Sequence, residues 1–282
     1  MFVKICGITR LEDAEAAVAE GASALGFVFW PGSPRFIDPS LAKEIVAALP
    51  RSVAAVGVFV NQPASHVNSV AKLAGLSAVQ LHGDEDERAA AEMTLPVIKA
   101  VSVRDGAFPD RQWPQRVMLL FDADDPVRRG GTGMTASWPA AAAVARRRRV
   151  LLAGGLRPDN VGEAIGCVRP FGIDVSSGVE QSPGIKDRRL LAALFEAIRK
   201  GEKRHAEGAS KTRATKARAT KTRKHEKGSD EGTNTRATKA RKHEKESHPS
   251  QKIRATKARK HKTESPKRHT RAAKTRKHKN TK

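Results

Sequence analysis

Lys4 and Cys6 stand two residues apart in the run FVKICGITR, Phe2–Arg10, almost at the start of the chain. Phe2, Val3 and Ile5 read as a short buried strand that Gly7 stops. Side chains alternate along a strand, so Lys4 and Cys6 share one face and Val3 and Ile5 the other. A lysine beside a cysteine at a strand end suits a base. The ammonium lowers the thiol pKa from about 8.5 and yields a usable thiolate near neutral pH. Taken alone, such a cysteine reads equally as a small buried hydrophobe. A complementary acid closes VMLLFDAD, where Met118, Leu120 and Asp122 share a face. Desolvation by apolar neighbours raises a carboxyl pKa and lets it donate a proton. Asp124 and Asp125 read as solvated or helix-capping groups. Cys6 and Asp122 on opposite sides of one opening would form an acid–base pair.

Other side chains suit an anionic, hydroxylated ligand. Arg35, in Ser33-Pro34-Arg35, is read as a free guanidinium able to grip a carboxylate through two N–H groups, with a surface salt bridge as the equal alternative. Gln80 and His82, in QLHG, are substrate-binding candidates, although a hydrogen-bonded structural histidine is the commoner use of such a residue. Asp174 is read as a sugar-hydroxyl acceptor or a loop-fixing group. Three glycine-bearing loops, GGTG (Gly130–Gly133), AGGL (Ala153–Leu156) and SSGVE (Ser176–Glu180), let backbone N–H groups approach an anion. Their phosphate-binding candidates are Gly131, Gly154, Gly155, Ser177 and Gly178. Cys167 reads as packing.

These residues need elements to carry them. Apolar strand-like runs cover Phe2–Cys6, Ala24–Phe29, Val53–Phe59, Ala78–Leu81, Val97–Val101, Val117–Phe121, Val150–Ala153 and Gly172–Val175. Helical runs between them cover Leu11–Glu20, Pro39–Leu49, Ala64–Ala74, Glu85–Met93, Ala140–Arg147 and Asp159–Ile165, with a last helix over Lys186–Lys200. The fifth helix, around Arg104–Gln115, is the weakest, because Pro109 and Pro114 leave room for little more than a turn. Eight strand–helix units in 200 residues predict an α/β fold, a (β/α)8 TIM barrel, over a doubly wound open sheet. The candidate residues fall at the C-terminal strand ends, where such barrels place their active sites.

Composition divides the chain of 282 residues. Residues 201–282 hold 29 of the 53 Lys+Arg and 8 of the 30 Asp+Glu, a formal +21 of the total +23. Ile253 is the only large aliphatic residue there, so this Lys/Arg-rich tail is expected to be disordered. Residues 1–200 are expected to form one domain. Near copies of TRATKARKHEK recur at Thr212–Thr220, Thr235–Lys245, Ile253–Lys262 and Thr270–Lys279. Their irregular spacing and lack of an apolar face exclude a solenoid. The tail is expected to bind nucleic acid nonspecifically by counterion release, without base stacking. No apolar run approaches the roughly 20 residues a membrane span requires, and no signal peptide is expected. Two cysteines without paired spacing argue against a disulfide framework or a zinc module, so no metal is expected and a cytoplasmic setting is. Monomer and homodimer are both compatible with the sequence.

KICGIT, SPR, QLHG, Asp122 followed by GGTG, AGGLRPDNV and DVSSGVE, in this order, resemble phosphoribosylanthranilate isomerase over residues 1–200. The resemblance implies the third step of tryptophan biosynthesis from chorismate, an Amadori rearrangement without metal or cofactor. It implies that Asp122 is the general acid, Cys6 the general base, and Arg35 the receptor of the anthranilate carboxylate. It also implies that the backbone around Gly155 and Ser177-Gly178 binds phosphate. Ala136-Ser137-Trp138 departs from the family's usual Phe-Asp-Trp, and the tail departs from a family that normally ends near residue 200. A related sugar-phosphate barrel isomerase, or a nucleic-acid-associated protein with the barrel as scaffold, are the alternatives. The Cys6–Asp122 pairing argues against the first and the intact Cys6, Arg35 and Asp122 against the second.

Overall fold

The computed structural model describes residues 1–102, 109–122 and 138–203. Eight strands close on themselves as a parallel barrel: β1 (Phe2–Cys6), β2 (Ala24–Val28), β3 (Ala54–Phe59), β4 (Ala78–Leu81), β5 (Val97–Val101), β6 (Met118–Asp122), β7 (Val150–Ala153) and β8 (Gly172–Val175). The expected (β/α)8 architecture is therefore correct. Strand boundaries differ by a residue at most, because each apolar run is short and flanked by turn residues.

The helices are α1 (Leu11–Glu20), α2 (Pro39–Ala48), α3 (Ala64–Ala74), α4 (Glu87–Ala91), α5 (Trp138–Ala145), α6 (Val161–Val168) and α7 over residues 188–203. Local chemistry sets several starts. Asp38 accepts from the Ser40 backbone N–H ahead of α2, with Pro39 at the first helical position. Asp86 accepts from Ala89 N–H, so α4 starts later than the sequence suggests. Residues 104–108 of the expected fifth helix lie outside the described residues. The remainder of that segment holds a 3-10 turn over Asp110–Gln112.

Arg148 braces residues 110–117. Its buried guanidinium donates to the carbonyls of Asp110, Trp113, Pro114 and Val117 at 2.5–2.9 Å. Two of those carbonyls, of Asp110 and Pro114, also accept from Trp113 and Val117 N–H at 3.5 and 3.0 Å. Arg148→Met should lower the unfolding free energy by about 3 kcal/mol, since several buried acceptors lose a charged donor. Urea denaturation followed by circular dichroism reads the loss, and an unchanged midpoint would refute the clamp.

The last helix corrects the sequence reading. Lys186 does not begin it. Glu180–Ser182 (β9) and Ile185–Lys186 (β10) form an antiparallel hairpin, with the turn at Pro183-Gly184. Asp187 then caps α7, its carboxylate accepting from Arg189 and Leu190 N–H at 2.7 and 3.1 Å.

Strand alternation divides the side chains into two sets, as expected for Val3 and Ile5 against Lys4 and Cys6. The outward set, including Val3, Ile5, Leu25, Phe27, Leu119, Phe121, Ile173 and Val175, packs against the helices. The inward set is layered. Ala24, Val56, Ile98, Leu120, Leu151 and Ala153, backed by Phe2, Met118 and Phe171, fill the lower barrel. Cys6, Val28 and Val58 lie together nearer the C-terminal ends. The lower layers are close-packed and apolar, and the polar inward residues lie toward the ends where the loops gather.

Candidate active site

Lys4 follows Phe2 on the inner face of β1. β1 pairs with β8 in a register that sets Lys4 beside Asp174. Lys4 Nζ donates to Asp174 Oδ1 at 2.8 Å, 170 residues away in sequence, and both side chains are buried. Gly26 of β2 makes the space. A Cβ there would lie 2.7 Å from Cys6 Sγ, closer than real Cβ atoms come, and 3.0 Å from Lys4 Nζ. The thiol and the ammonium thus share the hollow that this glycine leaves.

The expected lowering of the Cys6 pKa does not occur. Burial pushes the thiol up, Lys4 pulls it down and the Asp174 carboxylate pushes it up again, leaving it above its ordinary value. Lys4 remains a cation, because Asp174 and Cys6 outweigh its own burial. The sequence reading counted the lysine but not the carboxylate that claims it. A thiolate formed here is scarce at neutral pH but strongly basic. With Cys167 replaced by Ser to leave one thiol, iodoacetamide alkylation of Cys6 should therefore accelerate about tenfold per pH unit between roughly pH 6 and 8. Mass spectrometry reads the rate, and a plateau near neutrality would restore the activated-thiolate reading.

Arg35 is not a free guanidinium. Its Nε donates to both Glu180 oxygens at 2.9 and 3.1 Å, and its Nη2 to Oε2 at 2.6 Å. Its stem lies across Gly7, where a Cβ would meet Arg35 Cδ at 2.6 Å and where φ is +77°. Lys186 Nζ, fully buried, donates to the Cys6 carbonyl at 2.5 Å and to Glu180 Oε1 at 2.7 Å. Burial alone would raise the Glu180 carboxyl, but hydrogen bonds from Arg35 and Lys186 hold it below the usual range.

Across the opening, Asp122 ends β6 on the inner face, beyond Met118 and Leu120. His82 Nε2 lies 3.4 Å from Asp122 Oδ2, and His82 Nδ1 lies 2.8 Å from the Gln80 amide nitrogen. An amide N–H donating to Nδ1 leaves the ring proton on Nε2, toward the carboxylate. The oxygen of Gln80 is buried without a hydrogen-bond partner among the described residues. Glu85 braces this loop from outside, accepting from Asn61 and Gly83 N–H and from buried Lys99 at 2.7–2.9 Å.

The glycine loops lie after β7 and β8. Gly154 and Gly155 have φ of +86° and +58°. Asn160 fixes that loop, donating to the Gly155 carbonyl at 2.9 Å and accepting from Arg157 N–H at 2.8 Å. Ser177 and Gly178 form a 3-10 turn with Val179, and Gly178 abuts the Leu156 carbonyl. Gly131, with the rest of GGTG, lies outside the described residues, as do Ala136, Ser137, Asp124 and Asp125. The loop ends thus gather Cys6, Arg35, Gln80, His82, Asp122, Gly154, Gly155, Asp174, Ser177 and Gly178 at one end of the barrel.

The family model of N-(5'-phosphoribosyl)anthranilate (PRA) isomerase matches residues 3–197. The chain belongs to the PRA isomerase family. The PRA isomerase of Pelobacter propionicus is 49% identical over 186 residues, covering 66% of this chain and 89% of that one. The crystal structure of the Thermotoga maritima PRA isomerase superposes with a TM-score of 0.65 at 42% identity, over 71% of this chain and 98% of that one. A PRA isomerase solved in complex with reduced 1-(o-carboxyphenylamino)-1-deoxyribulose 5-phosphate gives 0.61 at 40% identity, with the same coverage.

Three residues of this candidate site have no counterpart in the sequence reading. Glu180 was read only as the end of a phosphate loop, Lys186 as a helix start, and Gly26 as an ordinary strand residue. A glycine inside an apolar strand signals close approach, and that was legible. A buried lysine gives no periodic signal, and the 145 residues between Arg35 and Glu180 hide their pairing.

Proposed function

We propose that the chain converts N-(5-phosphoribosyl)anthranilate into 1-(2-carboxyphenylamino)-1-deoxyribulose 5-phosphate, a step of tryptophan biosynthesis, with Asp122 as general acid and Cys6 as general base. The observation that carries this reading is that the two side chains end inward faces of β1 and β6 at one end of a closed barrel. Asp122 gives its proton to the ribose ring oxygen as the C1–O bond breaks and the anthranilate nitrogen lone pair forms C1=N. The Cys6 thiolate takes the C2 proton, and that electron pair forms C1=C2 while the C1=N pair returns to nitrogen. The enolamine then loses its C2 hydroxyl proton, C1 gains one, and a ketone remains. C2 is oxidised and C1 reduced, so no external oxidant enters.

The remaining residues supply binding. Arg35 receives the anthranilate carboxylate. Asp174, held by Lys4 through one oxygen, has its other oxygen for a sugar hydroxyl. Gln80 and His82 line the ring-opening side. Backbone N–H groups around Gly131, Gly154, Gly155, Ser177 and Gly178 receive phosphate. Lys4 also opposes the charge on the Cys6 thiolate as it forms. The test is turnover: full-length chain given freshly prepared phosphoribosylanthranilate should remove its fluorescence and yield the ketose. No loss from folded protein would transfer the reading to another sugar phosphate.

We assign catalysis to residues 1–200 and a separate role to residues 201–282, a basic tether for nucleic acid. Counterion release makes its affinity for random DNA fall steeply with salt. Fluorescence anisotropy at several salt concentrations tests this, and a salt-independent affinity would refute it. Among the described residues no helix is long and apolar enough to cross a membrane, which accords with the cytoplasmic setting we propose. The proposed assembly is a monomer or a homodimer.

A further inference from the structure

Arg35 meets Glu180 in a particular way. A guanidinium carries five N–H donors on a rigid plane, with a side-on edge at Nε and Nη2 and an end-on edge at Nη1 and Nη2. Glu180 occupies the side-on edge alone, through Nε and Nη2. Among the described residues, Nη1 has no hydrogen-bond partner.

Glu180 is itself fixed. Lys186 Nζ donates to its Oε1 at 2.7 Å and Gly184 N–H to the same oxygen at 3.3 Å. The Lys186 ammonium is anchored in turn on the Cys6 carbonyl and, at 3.3 Å, on the Ser176 carbonyl. Thr9 Oγ1 donates to the Gly184 carbonyl at 2.5 Å, and Lys186 N–H to Asp13 Oδ2 at 3.0 Å. The β9–β10 hairpin is thereby tied to the segment following β1. Glu180 is almost fully buried, whereas Arg35 keeps part of its surface in solvent. One carboxylate between two cations leaves a net positive charge, and its exposed part is on Arg35.

The geometry points to Glu180 as a positioning residue for substrate recognition: its side-on grip turns the end-on edge of Arg35 toward the site as a preformed two-pronged receptor for the anthranilate carboxylate. This rests on the reading of Arg35 as that receptor. Without Glu180 the guanidinium would rotate about its flexible stem, and its ordering would have to accompany each binding event. With Glu180 the fork is oriented before substrate arrives. The hairpin's function is then to deliver a buried carboxylate to the far side of the arginine.

The test uses two inhibitors of the full-length chain: the reduced product, and its counterpart lacking the ring carboxylate. The ratio of their inhibition constants measures carboxylate preference. Glu180→Gln should cut that ratio about tenfold and raise KM by a similar factor, with kcat changed less than about threefold. Arg35→Met should remove the preference. If Arg35→Met removes it and Glu180→Gln leaves it intact, the positioning role is overturned and the receptor reading stands. If Arg35→Met leaves it intact, both fall. Should Glu180→Gln fail to fold, nitrogen-15 spectra of the wild-type guanidinium decide, with Arg35→Lys fixing the assignment. Binding of the carboxylated inhibitor should shift Nη1 and leave Nε in place. A shift at Nε without one at Nη1 would overturn the proposal.

Discussion

Asp122→Asn should lower kcat about a thousandfold while leaving the barrel folded. General-acid groups commonly contribute on the order of 10²–10⁴ in rate. An amide occupies the same volume and keeps contact with His82 Nε2, which lies 3.4 Å from the carboxylate. What it cannot do is give a proton to the ring oxygen. The block therefore falls before ring opening, and borohydride should trap no open-chain imine above background. Retained turnover in this variant would remove Asp122 from the mechanism and make His82 the group to examine as acid.

Cys6→Ala is the companion case, with an expected loss of about a thousandfold or more. Its block falls one step later. The ring still opens, so borohydride should yield an open-chain amine bearing the anthranilate group, which the Asp122→Asn protein should not. Cys6→Ser should be almost as slow. A hydroxyl is far less acidic than a thiol, and this site already raises the thiol pKa through burial and Asp174. Unchanged turnover in either Cys6 variant would refute the base assignment.

Much of this was legible because it is periodic or local. Eight apolar runs set the strands within a residue, since a barrel strand must be apolar outward against helices and either apolar or functional inward. Placing the candidate residues at the C-terminal strand ends needed nothing beyond that. The hidden part was pairwise. Lys4 is two residues from Cys6, so its influence on the thiol was visible. Asp174 lies 170 residues from Lys4, so the competition that reverses the outcome was not. For the same reason the spacing leaves a free Arg35 and a salt-bridged one even, and its partner Glu180 stays hidden. Lys186 is misplaced because a lysine before Asp187 and a leucine- and alanine-rich run looks like a helix start. Its use as a buried tether depends on the carbonyl of Cys6, 180 residues away.

The closure of β1 on β8 has a consequence for how the molecule comes into being. β1 is made before the other seven barrel strands, yet one of its two neighbours is the last of them. The salt link from Lys4 to Asp174 spans 170 residues. At a synthesis rate of about 5–20 residues per second, that is a wait of roughly 10–30 s. Through that interval Lys4 has no carboxylate partner on its inner face, and burying its ammonium would be costly. The unpaired lysine thus disfavours early collapse of β1 into a wrong neighbour. The Cys6 thiol receives its surroundings only when the eighth strand has been made.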